Sequence, residues 1–151
     1  MRKIILFVLG GVMIILGLTG CNIGGSSNLA IRNLAVEKST IDKTAYRVAL
    51  SFQVGGFAYK DENGKYTINL VQDLELKDPK GNVVESLTRK NFKRLTQTLE
   101  KKLDQDQVFT NDLTIPISFG IGDYEAIVTV HDLNSGKDMV SSVKFNLDEI
   151  K

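Results

Sequence analysis

Apolar and polar residues alternate along much of the chain, and the alternation is clearest in residues 44–54. In that stretch every second position is apolar, at Tyr46, Val48, Leu50, Phe52 and Val54. A period of two over this length predicts a β-strand with one buried face. A weaker pattern predicts a preceding strand from Leu29 to Val36, with residues 39–43 joining the two strands.

Glycine, asparagine and proline separate the other apolar stretches and predict tight turns. Asn63-Gly64 lies between the apolar residues 57–60 and 65–70, a pattern typical of a β-hairpin. Pro79 and Gly81 predict another turn. Alternation then predicts three final strands, over Leu113 to Phe119, Tyr124 to His131 and Met139 to Leu147. About seven or eight short strands with regular turns predict an all-β, mostly antiparallel fold, a sandwich or a barrel.

One stretch departs from the period of two. Apolar residues recur there at three- and four-residue steps, at Phe92, Leu95, Leu99 and Leu103. This spacing predicts one inserted amphipathic helix of about four turns near residues 88–103. A long irregular crossover between sheets is the alternative, because Thr96 and Thr98 are indifferent helix formers.

The first twenty residues have the layout of a secretory signal peptide. Arg2 and Lys3 precede an apolar run from Ile4 to Leu18. A transmembrane helix needs about 20 predominantly apolar residues, and this run is shorter. We therefore expect residues 1–20 to be removed rather than to span a membrane.

The apolar run ends in Leu18-Thr19-Gly20-Cys21, which resembles the lipobox of bacterial lipoproteins. In that family an aliphatic residue and two small residues precede the cysteine that is lipidated. The resemblance implies lipid transfer to the Cys21 sulfur, cleavage before Cys21, and firm attachment by two or more acyl chains. An ordinary signal peptide with a chance cysteine is the alternative, although Cys21 is the only cysteine in the chain.

This resemblance implies a location in the cell envelope. The anchor would lie in the outer membrane of a two-membrane bacterium, or on the outer face of the plasma membrane of a single-membrane one. Residues 21–28 would form the lipidated N-terminus and a flexible tether, since Asn22 to Asn28 is small, polar and glycine-rich. Residues 29–151 would form the β-sandwich domain.

The charge of the mature chain favours no class of partner. Removal of residues 1–20 leaves 17 of the 19 basic residues against 18 acidic residues. Because the numbers of basic and acidic residues are nearly equal, the net charge indicates neither a nucleic acid nor an acidic substrate as a partner. With Cys21 acylated, no thiol remains for a disulfide, and packing has to stabilise the domain.

The segment Gly122-Asp123-Tyr124-Glu125-Ala126 resembles the tyrosine-corner stretch of immunoglobulin-like sandwiches. The resemblance implies that Tyr124 begins strand F and that its hydroxyl bonds to backbone at one end of the sandwich. Ala126 stands where antibody domains have cysteine, and the chain has no tryptophan. The implied relatives are therefore bacterial immunoglobulin-like and fibronectin-like sandwiches rather than antibody domains.

Residue types that enzymes and metal sites require are sparse. The only histidine, His131, falls on a predicted strand, where a surface histidine is the simpler interpretation than a catalytic base. Zinc needs several His or Cys ligands, and the stretch from Asp61 to Gly64 departs from the spacing of a calcium loop. We therefore expect no catalytic residue, no metal site and no cofactor.

The expected function is a membrane-anchored envelope lipoprotein whose non-catalytic sandwich binds or scaffolds an envelope protein or cell-wall polymer. The candidate partner surface is a basic cluster on the predicted helix, formed by Arg89, Lys90, Lys93 and Arg94. A solvated face is the plainer interpretation of this cluster. Two other functions stay open: a cell-wall hydrolase using a carboxylate pair, and a small-ligand carrier with a cavity between the sheets.

Overall fold

The computed structural model describes residues 23–24 and 28–149. The predicted signal peptide and the predicted lipidation site, Cys21, lie outside the described residues. The described residues form nine strands: β1 (Ile23–Gly24), β2 (Ala30–Asp42), β3 (Ala45–Gly55), β4 (Tyr59–Glu62), β5 (Lys65–Lys77), β6 (Arg89–Leu99), β7 (Gln107–Pro116), β8 (Gly122–Asp132) and β9 (Lys137–Leu147). Two short 3₁₀-helices, Glu85–Leu87 and Ile117–Phe119, lie between strands.

The strands form two antiparallel sheets. The smaller sheet has the order β2-β3-β7, and the larger one has β6, β5, β8 and β9 side by side. Tyr66 and Thr67 at the start of β5 pair with both β4 and β6, whereas residues 70–74 pair with β6 and β8. The short strand β4 therefore extends the β8 edge of β5, and β1 pairs with β4. The all-β, mostly antiparallel sandwich expected from the sequence is confirmed.

The core lies between the two sheets and uses the alternating residues that the sequence marks. The apolar side chains of β3 from Tyr46 to Val54 and those of β8 from Tyr124 to Val130 are buried, in one cluster with residues of β5, β7 and β9. Phe52 of β3 stacks on Phe109 of β7, with ring centroids 5.4 Å apart. Burial of each large apolar side chain contributes roughly 1.5–3 kcal/mol, so this cluster is the main stabilising feature of the domain.

The predicted helix near residues 88–103 is wrong, and the irregular crossover is wrong as well. Residues 89–99 form β6, which pairs antiparallel with β5. Thr96 and Thr98 are β-branched and suit a strand, and the Thr98 hydroxyl lies 3.0 Å from that of Thr67 on β5. An irregular register near the start of β6, where Asn91 adopts a positive φ of 49°, puts Phe92 out of step with Leu95. Leu95 and Leu99 then lie four residues apart on one face of the regular part of the strand.

The strand predicted over Leu113 to Phe119 ends earlier than expected. β7 stops at Pro116, and Ile117–Phe119 form a 3₁₀-helix whose apolar side chains are exposed. Proline has no amide hydrogen for the ladder and ends the pairing. Gly120 follows with a positive φ of 93° and turns the chain towards β8.

The sandwich has two distinct ends. At one, which we call the N-terminal end, the chain enters β2, and the loops 56–58, 63–64, 100–106 and 133–136 lie beside that entry. At the other, the distal end, lie the turns 43–44 and 78–82 and the loop 117–121. Strand β5 runs between the ends with 13 residues, and at about 3.3 Å per residue it spans about 40 Å.

Candidate functional surfaces

The four basic residues of the predicted partner surface lie on β6, an edge strand, but three of them make contacts within the domain. The Arg89 guanidinium donates to the Ser86 carbonyl at 2.7 Å. Lys90 forms an ion pair with Asp73 at 3.5 Å. Lys93 reaches across to the Thr110 carbonyl on β7.

Arg94 is exposed, and its guanidinium makes no hydrogen bond or ion pair with the described residues. Of the four residues, Arg89, Lys90 and Arg94 are exposed and Lys93 is half-buried. Charged and inward-pointing residues on an edge strand also hinder pairing with other chains. Lys93 fits that role, because its side chain points inward and bridges β6, at the edge of the larger sheet, to β7, at the edge of the smaller one.

His131 lies in a polar cluster on the outer face of the larger sheet. Its Nδ1 is 2.7 Å from an Asp138 carboxylate oxygen, and its Nε2 is 3.4 Å from Asp73. The hydrogen bond with Asp138 is the main cause of a raised His131 pKa, opposed by partial burial and supported by Asp73. This is the surface histidine that the sequence indicates, but with two carboxylate partners from β5 and β9 that sequence spacing does not reveal.

Asp73 shows the opposite behaviour in the same cluster. Burial alone would raise its pKa, but the Asn91 backbone amide donates to its carboxylate at 2.7 Å and outweighs burial, together with His131 and Lys90. The net pKa is lowered. The cluster thus joins β5, β6, β8 and β9 through side chains and holds Asn91 in its unusual conformation.

Two carboxylates line an open hollow of about 190 Å³ at the N-terminal end, beside Phe57 and Tyr59. Asp106 forms an ion pair with Arg32 at 2.5 Å, and Asp104 is exposed. A glycosidase acid is typically a carboxyl group in an apolar environment, whereas Asp106 is paired with the Arg32 guanidinium and Asp104 is open to solvent. This hollow is the nearest counterpart to the carboxylate pair of the hydrolase alternative.

The space between the sheets contains two amide side chains, Gln72 on β5 and Asn111 on β7. Both are at least 98% buried, and their amide groups have no hydrogen-bond partner in the described chain. Leaving such groups unpaired costs about 1–3 kcal/mol each. The four hollows beside Tyr46, Tyr59, Arg47 and Tyr124 open on the surface.

At the N-terminal end, Asp132 organises a network of polar contacts. Its buried carboxylate accepts hydrogen bonds from the Ala58 amide at 2.8 Å, the Ser135 hydroxyl at 2.7 Å and the Asn134 amide at 3.0 Å. The Asn134 side chain then donates to the carbonyls of Ala58 and Thr67. The turn between β8 and β9 is thereby fixed to the segment that leads into β4.

Aromatic and basic side chains lie next to this network. The rings of Phe57 and Tyr59 are 5.4 Å apart, and those of Tyr59 and Tyr66 are 6.1 Å apart. The Lys102 ammonium lies 5.7 Å from the Tyr59 ring and 5.2 Å from the Tyr66 ring. The Tyr59 hydroxyl accepts a hydrogen bond from the Leu103 amide at 3.0 Å, which ties the β6–β7 loop to the hairpin.

The distal end presents apolar side chains on a fixed loop. Ile117, Phe119 and Ile121 are 39%, 40% and 46% exposed and lie within five residues. The Ile117 amide donates to the Thr44 carbonyl at 2.9 Å, which places the loop against the β2–β3 turn and its exposed Ile41. Other exposed apolar residues, such as Val108 and Leu133, stand apart in the sequence.

Tyr124 holds this loop. Its buried hydroxyl donates to the Gly120 carbonyl at 2.7 Å and lies 3.1 Å from the Phe119 carbonyl. Burial, then the charge of Asp78, raises the Tyr124 pKa. The Tyr124 hydroxyl thus bonds to backbone at this end of the sandwich, and β8 pairs antiparallel with β9.

Two findings concern residues 23–24 and 28–149. No helix in this part of the chain is long and apolar enough to cross a bilayer. Within the same residues, no three His, Cys, Asp or Glu side chains gather where they could hold a metal ion.

Comparisons with known proteins give structural likeness only. No family model matches the chain, and no curated protein does. A β-glucuronidase 2 structure from Bacteroides uniformis is 12% identical with a TM-score of 0.46, covering 76% of this chain but only 13% of the enzyme. A Bordetella pertussis protein described as ApaA is 11% identical with a TM-score of 0.36, covering 80% of this chain and 93% of that protein. At these scores neither likeness assigns a family or an activity.

Proposed function

We propose that the chain is a lipid-anchored protein of a bacterial envelope whose β-sandwich binds another envelope component without catalysing a reaction. The anchor rests on the lipobox resemblance that ends at Cys21. The binding role rests on one structural observation. Ile117, Phe119 and Ile121 are exposed together at the end of the sandwich farthest from the entry of the chain.

Apolar side chains on a rigid loop suit a binding surface. Exposed apolar patches rimmed by polar residues commonly mark interaction sites, and a loop already held in one conformation loses less entropy on binding. Here the Tyr124 hydroxyl and the Thr44 carbonyl hold the loop at both sides. The partner we propose is therefore an envelope protein with an apolar patch of its own.

A crosslinking pull-down from intact envelopes tests this role. The variant Phe119→Ser, Ile121→Ser removes apolar area from the distal loop, and Val108→Ser, Leu133→Ser removes similar area elsewhere on the surface. We expect at least a several-fold loss of the captured partner with the first variant and little change with the second. Equal recovery by both variants would place the binding site away from the distal loop.

The basic residues of β6 give a second candidate surface, for which Arg94 is the supporting observation because its charge is exposed and uncompensated. Charge of this kind acts mainly on the rate of encounter. Arg94→Glu should slow association, and added salt should imitate the effect because exposed charges are screened over about 8–10 Å. Lys144→Glu on β9 is the matched control, and identical kinetics for both variants would leave the β6 charges as a solvated edge.

A further inference from the structure

Part of the segment expected to be a flexible tether is paired with the domain. Ile23 pairs with Lys60 and Gly24 pairs with Tyr59, so that β1 adds a strand beside β4. Only Asn22 separates Cys21 from β1. At about 3.3–3.6 Å per residue, the two steps from Cys21 to Ile23 span at most about 7 Å, whereas a free segment of residues 22–28 would allow about 25 Å.

We infer that the N-terminal end of the sandwich lies directly on the lipid headgroups, with the β4–β5 hairpin against the bilayer surface. This rests on the proposed lipid anchor at Cys21. With so short a connection, acyl chains in the bilayer hold the hairpin at the surface and leave the domain little freedom to turn over. The distal loop then faces away from the membrane.

The side chains of this end suit a headgroup layer. Tyrosine is enriched at membrane interfaces, where its ring is apolar and its hydroxyl is hydrated. Tyr59 and Tyr66 are partly exposed and flank the Lys102 ammonium. Lysine keeps its charge in water while its stem covers apolar surface.

Charge contributes little to this contact. Lys60 pairs with Glu62 at 2.6 Å and Lys65 with Glu100 at 3.5 Å. Across residues 60–65 and 100–104 the numbers of basic and acidic side chains are equal, with Lys60, Lys65, Lys101 and Lys102 against Asp61, Glu62, Glu100 and Asp104. We therefore expect the same orientation on phosphatidylcholine vesicles and on vesicles that also contain phosphatidylglycerol.

Energy transfer from the protein to labelled headgroups measures the orientation. Cys21 is the only cysteine, and once it is acylated a second cysteine can be labelled uniquely. Glu62→Cys places a donor dye on the hairpin, and Lys80→Cys places it about 40 Å away at the far end of β5. The acylated full chain in vesicles with acceptor-labelled headgroups should show transfer several-fold more efficient from position 62 than from position 80.

A spacer variant tests the role of β1. Insertion of a Gly-Ser repeat of about ten residues after Asn22 lengthens the connection and should reduce the difference between positions 62 and 80. Similar transfer from both positions without the spacer would overturn the inference while leaving the lipid anchor intact. If transfer from positions 62 and 80 still differs as much after the insertion, the short connection does not orient the domain. Recovery of the chain without lipid would instead overturn the proposed anchor and this inference with it.

Discussion

The two ends of the sandwich differ in how their loops are held and in what they expose. At the N-terminal end, side chains bond to residues that are distant in sequence. The Asp132 carboxylate accepts a hydrogen bond from the Ala58 amide, and the Asn134 side chain donates one to the Thr67 carbonyl. The distal end is held by backbone groups, by the Tyr124 hydroxyl, and by the Lys38 and Tyr46 side chains, which donate to the carbonyls of Asn146 and Asp148. Its loop exposes apolar side chains. A buried carboxylate thus organises the N-terminal end, whereas three exposed apolar side chains lie within five residues at the distal end.

This difference indicates separate tasks. A network of buried, charge-assisted hydrogen bonds fixes three segments relative to one another, which suits the end where an anchor would pull on the domain. A loop whose backbone is fixed but whose side chains are open suits recognition. Two results would contradict this comparison. The N-terminal network could contribute little to the free energy of unfolding, or the conformation of the distal loop could be independent of the Tyr124 hydroxyl.

The largest effect is expected at the N-terminal network. Asp132→Ala leaves the Ala58 amide and the Asn134–Ser135 turn without their acceptor, and hydrogen bonds to a charged group contribute about 1.5–3 kcal/mol each. We expect the free energy of unfolding to fall by about 3 kcal/mol in urea denaturation. Asp123→Ala, which removes one exposed carboxylate bonded to Asn146, should cost less than about 0.5 kcal/mol. Equal losses would remove the contrast between the ends.

A smaller effect is expected at the distal end. Tyr124→Phe removes the hydroxyl that donates to the Gly120 carbonyl, and one net hydrogen bond is worth about 0.5–1.5 kcal/mol. Hydrogen exchange at residues 117–121 should also accelerate, since the loop loses its support. Tyr66→Phe is the control. The Tyr66 ring contacts Tyr59 and Lys102, and phenylalanine keeps that ring while removing only the hydroxyl. If the two variants unfold alike, Tyr124 does not act as a tyrosine corner.

The smallest effect is expected at His131, as a dependence of the free energy of unfolding on pH. Its pKa is raised in the folded chain by Asp138, so the stabilisation is complete below the unfolded value of about 6.5 and is lost as pH rises through the folded value. Asp73 stays charged in this range, because its pKa is lowered. Because the site is partly exposed, we expect His131→Asn to flatten the pH dependence of unfolding between about pH 6 and 8 by at most about 1 kcal/mol. A slope unchanged in His131→Asn would show that another group titrates there.

The sequence predicts the fold well where alternation faces a single core. β3 and β8 were predictable residue by residue, because each inward position from Tyr46 to Val54 and from Tyr124 to Val130 is apolar. The prediction fails on β6, an edge strand with few buried residues. There the three- and four-residue spacing of Phe92, Leu95 and Leu99 resembles a helix, and only pairing with β5 reveals the strand.

The candidate surfaces were less predictable because they depend on long-range contacts. Lys90 and Lys93 look free in sequence, yet Asp73 and the Thr110 carbonyl engage them from other strands. The exposed pair Ile117 and Phe119 looks like the buried face of a strand until Pro116 ends the pairing. Asp132 gives no local sign of its partner Ala58, 74 residues away.

The proposed anchor at Cys21 is the premise on which the separate tasks of the two ends depend, and fatty-acid labelling tests it most directly. Cells expressing the full chain or Cys21→Ser are grown with a labelled fatty acid, and the protein is recovered from membrane and soluble fractions. The account predicts label and membrane attachment for the wild-type chain, and no label on Cys21→Ser because the acceptor sulfur is gone. Equal labelling of both chains would contradict it.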